Sequence, residues 1–157
     1  TYFKIISNKT ASLFSSCCKM GAISTNSKAK NIDLMSEFGL LVGKAFQIRD
    51  DLFGYLSYDT GKPSLNDFKQ AKITLPLIHS LSKVNYRKQK EIISNLKKFK
   101  SIDKVISFVK ENGGIDYSEK IMSNLIDRSY DILNQFHESK YKNSLQNLLD
   151  YTIRREL

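Results

Sequence analysis

The stretch F46-Q-I-R-D-D-L-F-G-Y55 places two adjacent aspartates, Asp50 and Asp51, inside an otherwise apolar segment of the chain. Burial of both carboxylates would be costly unless a positively charged partner meets them. The apolar residues on either side recur at helical spacing, which predicts a helix. The two charges within it therefore mark a candidate site.

One face of this predicted helix is unusually small and polar. Residues three and four positions apart share a helical face. Two interpretations explain such a face. In the first, the glycines allow close packing of helices and the aspartates lie at a solvated end. In the second, the helix lines a cavity and directs its carboxylates at a cation. Adjacent carboxylates one turn after a glutamine suit Mg²⁺, which takes oxygen ligands. The pattern leaves both interpretations open for this face, which comprises Gly39, Gly43, Gln47, Asp50, Asp51 and Gly54.

The chain as a whole reads as one helical domain or a piece of one. Its 157 residues suffice for a single core. With 41% hydrophobic and 26% charged residues the composition is that of a globular protein. Helical spacing dominates and few alternating strand patterns occur, so the fold class is predicted to be all-α. The opening TYFKII lacks a methionine and is already amphipathic, so we expect a segment of a longer protein.

The apolar periodicity predicts helices at about 2–23, 31–55, 74–82, 86–99, 102–111, 117–136 and 144–154. Asn31 is the predicted N-cap of the second helix. Gly113 and Gly114 are predicted to stop a helix, and residues 57–72 to form a loop. The first helix is expected to bury an apolar face made of Phe3, Ile6, Leu13, Phe14, Cys17 and Met20.

Charge and cysteine content limit the partners. The net charge of +9 admits nucleic acid, membrane surfaces or anionic small molecules, but the lysines are spread over many helices, which favours an ordinary solvated surface. Neighbouring Cys17 and Cys18 are predicted to be reduced packing residues, which indicates a cytoplasmic location. No apolar run approaches the roughly 18 residues of a membrane span, so no transmembrane segment is expected.

Two lysines extend the candidate site. Lys62 follows Gly61 in the loop TGKPSLND, and Lys9 interrupts an apolar helix in SNKTASLF. Each alone is typical of a solvated surface lysine. Together with a magnesium site they would form a positive cradle for a diphosphate.

Five motifs then make the pattern specific: KTASLF, FQIRDD, GKPSLND, KITLPLI and VKENGGIDY, in this order. Their order and spacing resemble trans-polyprenyl diphosphate synthases, and FQIRDDLFGY resembles the second aspartate-rich motif of that family. The likeness covers essentially all 157 residues. It implies a helical bundle of the isoprenoid synthase type around a central cavity, with residues 1–157 as the C-terminal portion of one polyprenyl synthetase domain.

The resemblance also implies a reaction and roles. The family condenses an allylic diphosphate with isopentenyl diphosphate, head to tail, with Mg²⁺ as cofactor. Asp50 would bind Mg²⁺ directly and Asp51 would assist. The substrate-binding and catalytic roles would fall to Lys9 and Lys62 at the diphosphate oxygens, and to Thr10 and Gln47 beside the reacting carbons.

The sequence departs from the family pattern in two places. Gly54 stands where the second motif normally has a third aspartate, and Asp59 is a candidate substitute. The first aspartate-rich motif, DDxxD, is absent from these residues, and Asp127 and Asp131 in DRSYD are without family precedent. These residues alone are therefore expected to be inactive.

Three functions remain open from the sequence. The first is the C-terminal half of a prenyltransferase, as a homodimer or a heterodimer with a related subunit. The second is a truncated, non-catalytic subunit that associates with a catalytic prenyltransferase partner. The third, a basic nucleic-acid binder, explains the charge but none of the motifs, so no nucleic-acid partner is expected.

Overall fold

The computed structural model describes residues 1–56, 66–99 and 101–154, and every regular element within these ranges is helical. The all-α prediction is therefore confirmed. In chain order the elements are α1 (Tyr2–Ile6), a π-helical turn (Ser7–Ala11), α2 (Ser12–Ser24), α3 (Ala29–Leu56), α4 (Asn66–Lys69), α5 (Leu75–Ser82), α6 (Tyr86–Lys97), α7 (Ile102–Glu111), α8 (Gly114–Leu133) and α9 (Lys140–Arg154).

The described residues fall into two compact units. The boundaries divide α3 after Arg49 and α8 after Lys120. The first unit joins residues 1–49 to the described residues after 120, and the second comprises the described residues between 50 and 120. Within the described ranges no helix combines the length and the apolar character that crossing a bilayer would need.

In the first unit, α2 packs antiparallel against the first part of α3 through small residues. The Ser15 hydroxyl donates to the Ser36 carbonyl oxygen at 2.8 Å. A Cβ built on Gly39 would lie 2.5 Å from the Phe14 carbonyl oxygen, so the two backbones are in direct contact. Glycine is required there because any side chain would push the helices apart.

The predicted buried face of the first helix is largely wrong. Ile6 is buried as expected, but Phe3, Leu13 and Met20 are 41%, 66% and 59% exposed, and Cys17 is also exposed. The face that meets α3 is instead made by Ala11, Phe14 and Ser15, which contact α3 at or beside its glycines. Leu13 and Met20 lie on a different, exposed face of the helix.

The second unit has an apolar core. Beside it, α8 begins against α5, since a Cβ on Gly114 would meet the Pro76 carbonyl oxygen and the Ser80 hydroxyl. Pro76 lies in the first turn of α5, as predicted, where no N–H is needed. The core consists of Tyr55, Phe68, Leu77, Ile92, Leu96, Ile102, Val105, Ile106, Phe108 and Val109.

Most predicted helix positions are confirmed, and two details are wrong. Asn31 is not an N-cap but lies inside α3, where its N–H donates to the Lys28 carbonyl oxygen at 2.8 Å. A short helix, α4, lies within the predicted loop. The glycine stop is confirmed, because Gly113 adopts a φ of +67° and Gly114 begins α8.

Candidate functional site

The segment SNKTA, Ser7–Ala11, forms a π-helical turn between α1 and α2. Such turns are rare and occur mostly as single wide turns within α-helices, frequently at functional sites. This one carries Lys9 and Thr10, the two candidate residues of the KTASLF motif. The sequence predicted one uninterrupted helix here, so the wide turn is new information.

Thr10 and Gln47 are directly hydrogen-bonded. The Thr10 hydroxyl donates to Gln47 Oε1 at 2.8 Å, and the bond is partly buried. The structure thus joins two site residues that lie 37 positions apart in the sequence. Because a carbonyl oxygen can only accept, the Thr10 hydrogen is used by Gln47, and the remaining lone pairs of Thr10 are acceptors.

Gly39 and Gly43 serve the close packing of helices. A Cβ on Gly43 would lie 2.6 Å from Ala11 Cα, and Ala11 is fully buried. The packing interpretation of the small face is therefore confirmed for these two glycines. One turn further along α3, Gln47 ends that packed face with the polar bond to Thr10.

The two aspartates differ in burial. Asp50 is exposed, whereas Asp51 is 7% exposed and buried. The expectation that both are buried is wrong for Asp50, because consecutive side chains point about 100° apart on a helix and this step takes Asp50 to the exposed side of α3. Asp50 therefore offers an accessible carboxylate, and Asp51 a sheltered one.

Of the two lysines predicted to bind diphosphate, Lys9 lies within the described residues and Lys62 does not. Lys9 is exposed on the π-helical turn. Lys62 and the candidate substitute Asp59 lie outside the described residues, as does Gly61. Gly54, at the position of the missing third aspartate, is buried in α3.

Tyr55 forms a polar contact that the sequence reasoning missed. Its hydroxyl lies 3.2 Å from the Thr74 hydroxyl, and both residues are buried. Its ring packs edge-on against Phe68, with centroids 5.1 Å apart. The available signal was that Tyr55 ends the FQIRDDLFGY motif and Thr74 lies in KITLPLI, both of which carried the family resemblance.

Burial raises the pKa of the Tyr55 phenol well above its ordinary value. The Thr74 hydrogen bond opposes this rise, and the negative charges of Asp51 and Asp67 add to it. The phenol is therefore protonated at all ordinary pH values and remains available as a hydrogen-bond partner.

A charged pair follows α3 in the sequence. Lys72 Nζ lies 2.6 Å from Asp67 Oδ1, and the Lys72 N–H donates to the Asp67 carbonyl oxygen at 2.9 Å. Both side chains are partly exposed, so the ion pair contributes about 0–1 kcal/mol. Its effect is to hold the chain compact between α4 and α5.

The carboxylates of Asp50 and Asp51 are donors of the chemical kind that Mg²⁺ takes. Over the described ranges, no cluster of three or more His, Cys, Asp or Glu side chains could hold a metal alone. Mg²⁺, however, is usually bound by one or two carboxylates together with substrate phosphates and water. Asp50 and Asp51 supply hard oxygen donors of this number and kind.

Comparison with known proteins is consistent over the whole chain. Residues 1–112 match the sequence profile described as "Polyprenyl synthetase". The geranylfarnesyl diphosphate synthase of Aeropyrum pernix is 30% identical over 98% of this chain and 50% of its own length. The heptaprenyl diphosphate synthase component 2 of Bacillus subtilis is 27% identical over 99% of this chain and 45% of its own.

The solved structures agree with the sequence matches. The crystal structure of a geranylgeranyl pyrophosphate synthase from Bacteroides thetaiotaomicron superposes with a TM-score of 0.86 at 31% identity, covering 97% of this chain and 52% of that one. The chain spans about half the length of the curated relatives it matches, and that half is the C-terminal one.

Proposed function

The chain belongs to the polyprenyl synthetase family, and from this premise we propose that it forms part of an enzyme that condenses an allylic diphosphate with isopentenyl diphosphate, head to tail, with Mg²⁺ as cofactor. The observation that carries the proposal is the 2.8 Å hydrogen bond between Thr10 of KTASLF and Gln47 of FQIRDD. It joins two of the motifs on which the resemblance rests, through residues to which the resemblance gives catalytic roles.

The first chemical task is to release diphosphate from the allylic carbon. Asp50 and Asp51 would hold Mg²⁺, which when bound neutralises charge on the departing oxygens as a Lewis acid. Lys9 and Lys62 would bind the same diphosphate through their ammonium groups. Fixed positive charge at a leaving group commonly provides the largest part of such a rate enhancement.

The second task is to protect and direct the positive carbon. Thr10 presents only oxygen lone pairs beyond its bond to Gln47, so it would stabilise positive charge and repel an anion. The double bond of isopentenyl diphosphate then attacks the positive carbon left when the allylic carbon–oxygen bond broke, and its electron pair forms the new carbon–carbon bond. One proton is lost from the condensed product, and the released diphosphate is the proposed base.

The remaining half of the site would come from outside these residues. This chain spans about half the length of the two curated relatives named above, and its sequence contains no DDxxD motif. We propose that the first aspartate-rich motif and the isopentenyl diphosphate contacts are supplied by a complementary half, in the same polypeptide or in a related subunit of a dimer. The match to a relative named as a component 2 supports a heteromeric partner. A cytoplasmic location is part of the same proposal.

The test is prenyl transfer by the product of the complete reading frame that encodes these residues, assayed with labelled isopentenyl diphosphate, an allylic diphosphate and Mg²⁺. We expect Asp50→Ala to lower turnover about a hundredfold or more, because a charge-stabilising contact is lost. Circular dichroism should show the helices intact, since Asp50 is exposed. Asp127→Ala, an exposed aspartate on α8, is the matched control and should keep full turnover. Near-normal turnover in Asp50→Ala would contradict the assigned role.

The second candidate function is a non-catalytic subunit that associates with a catalytic prenyltransferase partner; what supports it is the absence of a DDxxD motif from these residues. In that case the product of the reading frame would turn over nothing alone and would raise the turnover of a catalytic partner. Asp50→Ala would then leave that stimulation unchanged. The two functions thus predict opposite effects of one substitution.

A further inference from the structure

The π-helical turn and α2 contact α3 in a defined register. Successive pairs along it are Thr10 with Gln47, Ala11 with Gly43, and Phe14 with Gly39. The first pair is a hydrogen bond, and the other two are backbone contacts at glycine. The polar pair therefore lies at one end of a contact whose spacing is set by glycines.

Gly43 controls the spacing nearest to the polar pair. A Cβ there would lie 2.6 Å from Ala11 Cα and 3.0 Å from Ala11 Cβ. Carbon atoms in contact normally lie about 3.5–4.0 Å apart, so a methyl group would separate the helices by about 1 Å at this level. Because the obstruction is backbone, no side-chain rotation relieves it.

Such a separation would reach the Thr10–Gln47 bond. Gln47 lies four residues after Gly43 on one continuous helix, and Thr10 directly precedes Ala11. Most hydroxyl hydrogen bonds are about 2.5–3.0 Å long. Lengthening the 2.8 Å contact by about 1 Å would therefore break it. Thr10 would then be free to rotate and to donate its hydrogen elsewhere.

We infer that Gly43 is a positioning residue for the proposed prenyl transfer. Because Gly43 has no side chain, α3 can contact Ala11, and the Thr10 hydroxyl can donate its hydrogen bond to Gln47. Thr10 then has only oxygen lone pairs to present to the positive carbon. The inference rests on the proposed function for its chemistry. The packing on which it depends is independent of that function, so the two can be tested separately.

The packing test is a double-mutant cycle that needs no substrate. Thr10→Val and Gln47→Ala, singly and together, give the coupling between the two side chains from urea unfolding. The cycle is measured in three backgrounds: the natural sequence, Gly43→Ala, and the control Gly21→Ala, whose Cβ would meet nothing within 4 Å. We expect the coupling to be retained with Gly21→Ala and to fall at least twofold with Gly43→Ala. Unchanged coupling in Gly43→Ala would overturn the inference.

A second variant covers the case in which Gly43→Ala does not fold. Ala11→Ser enlarges the residue that faces Gly43 and is fully buried, so it should weaken the same coupling through a smaller displacement. Retention of the full coupling in a folded Ala11→Ser variant would then overturn the inference.

The chemical test is a product ratio in the prenyl-transfer assay. When the cation is poorly held, water competes with the isopentenyl double bond and an allylic alcohol forms. We expect Gly43→Ala to raise the ratio of alcohol to elongated product severalfold, whereas Gly21→Ala leaves it unchanged. A ratio does not depend on the amount of folded enzyme, so loss of stability alone would not move it. An unchanged ratio in Gly43→Ala would contradict the positioning role. If the natural sequence gave no Mg²⁺-dependent product at all, the proposed function would be contradicted. The result of the double-mutant cycle would not be affected by that outcome.

Discussion

At the scale of single residues, the adjacent carboxylates of FQIRDD have different surroundings. Asp50 is exposed and can exchange water for a metal and its substrate, whereas Asp51 is buried and is one cause of the raised pKa of the Tyr55 phenol. The two side chains point about 100° apart on α3, and here that step separates an exposed position from a buried one. The difference in role proposed above, direct metal contact for Asp50 and support from Asp51, comes from the family resemblance and is compatible with this difference in exposure.

The buried contact between Tyr55 and Thr74 gives the first prediction at this scale. Tyr55→Phe should lower the free energy of unfolding by about 1–3 kcal/mol, because the Thr74 hydroxyl is left buried without its partner. The double variant Tyr55→Phe with Thr74→Val should recover part of the loss, since neither hydroxyl then remains. Tyr141→Phe, at a position 71% exposed, is the control and should change nothing measurable. Urea unfolding measures all four proteins, and an unchanged Tyr55→Phe would show that the contact is not stabilising.

The same phenol predicts a dependence of stability on alkaline pH. An unfolded tyrosine ionises near pH 10, whereas burial raises the pKa of Tyr55 in the folded chain above that value. Below about pH 10 both states hold the proton and the stabilisation is fully present. Above it only the unfolded state releases the proton, so stability falls with rising pH, by up to about 1.4 kcal/mol per unit. Urea unfolding between about pH 9 and about pH 11 should show a steeper loss for the natural sequence than for Tyr55→Phe. Parallel slopes would count against this assignment.

At the scale of helices, two glycines offer a matched pair. A Cβ on either Gly113 or Gly21 would meet nothing within 4 Å, but only Gly113 has a positive φ. Gly113→Ala should therefore cost about 1–2 kcal/mol from backbone strain alone. Gly21→Ala, inside α2, should instead stabilise the helix by about 0.5–1 kcal/mol. Thermal unfolding measures both changes, and we expect the melting temperature to fall with Gly113→Ala and to rise with Gly21→Ala. Equal shifts in the same direction would contradict the role of Gly113 as the stop between α7 and α8.

Local patterns predicted helices better than they predicted contacts. Ile102–Glu111 was placed at its observed bounds, because it combines strong apolar periodicity with a glycine stop. Asn31 was misplaced as an N-cap, since a capping residue type also occurs inside first turns. Leu13 and Met20 were wrongly expected to be buried, because periodicity identifies an apolar face but not what covers it.

The site was predictable only through the motifs. Periodicity placed Gln47 and Asp50 on one helix, but nothing local brings Thr10 to Gln47 across 37 positions. The family resemblance assigned KTASLF, which contains Thr10, and FQIRDD, which contains Gln47, to the same site. Neither source predicted the π-helical turn, because the residues SNKTA have no composition that distinguishes a wide turn from an α-helix.

At the scale of the whole molecule, the net charge of +9 invites a nucleic-acid interpretation that the site does not support. Non-specific binding of nucleic acid weakens steeply with salt. We expect no retardation of duplex DNA or RNA in a gel at about 150 mM salt, where the scattered lysines are screened beyond about 8 Å. Mg²⁺-dependent binding of inorganic diphosphate, measured by calorimetry, should persist under the same conditions. Retardation at that salt concentration would support a nucleic-acid-binding function.

The π-helical turn also limits how the length of this protein can change over evolution. Deleting one residue between Ser7 and Ala11 would convert the wide turn into an ordinary α-helical one and rotate α1 by about 100° relative to α2. Either Ile6 of α1 would leave its buried position or Thr10 would leave its register with Gln47, even if every side chain were kept. We therefore expect an insertion or deletion within these five residues to be tolerated less well than a substitution.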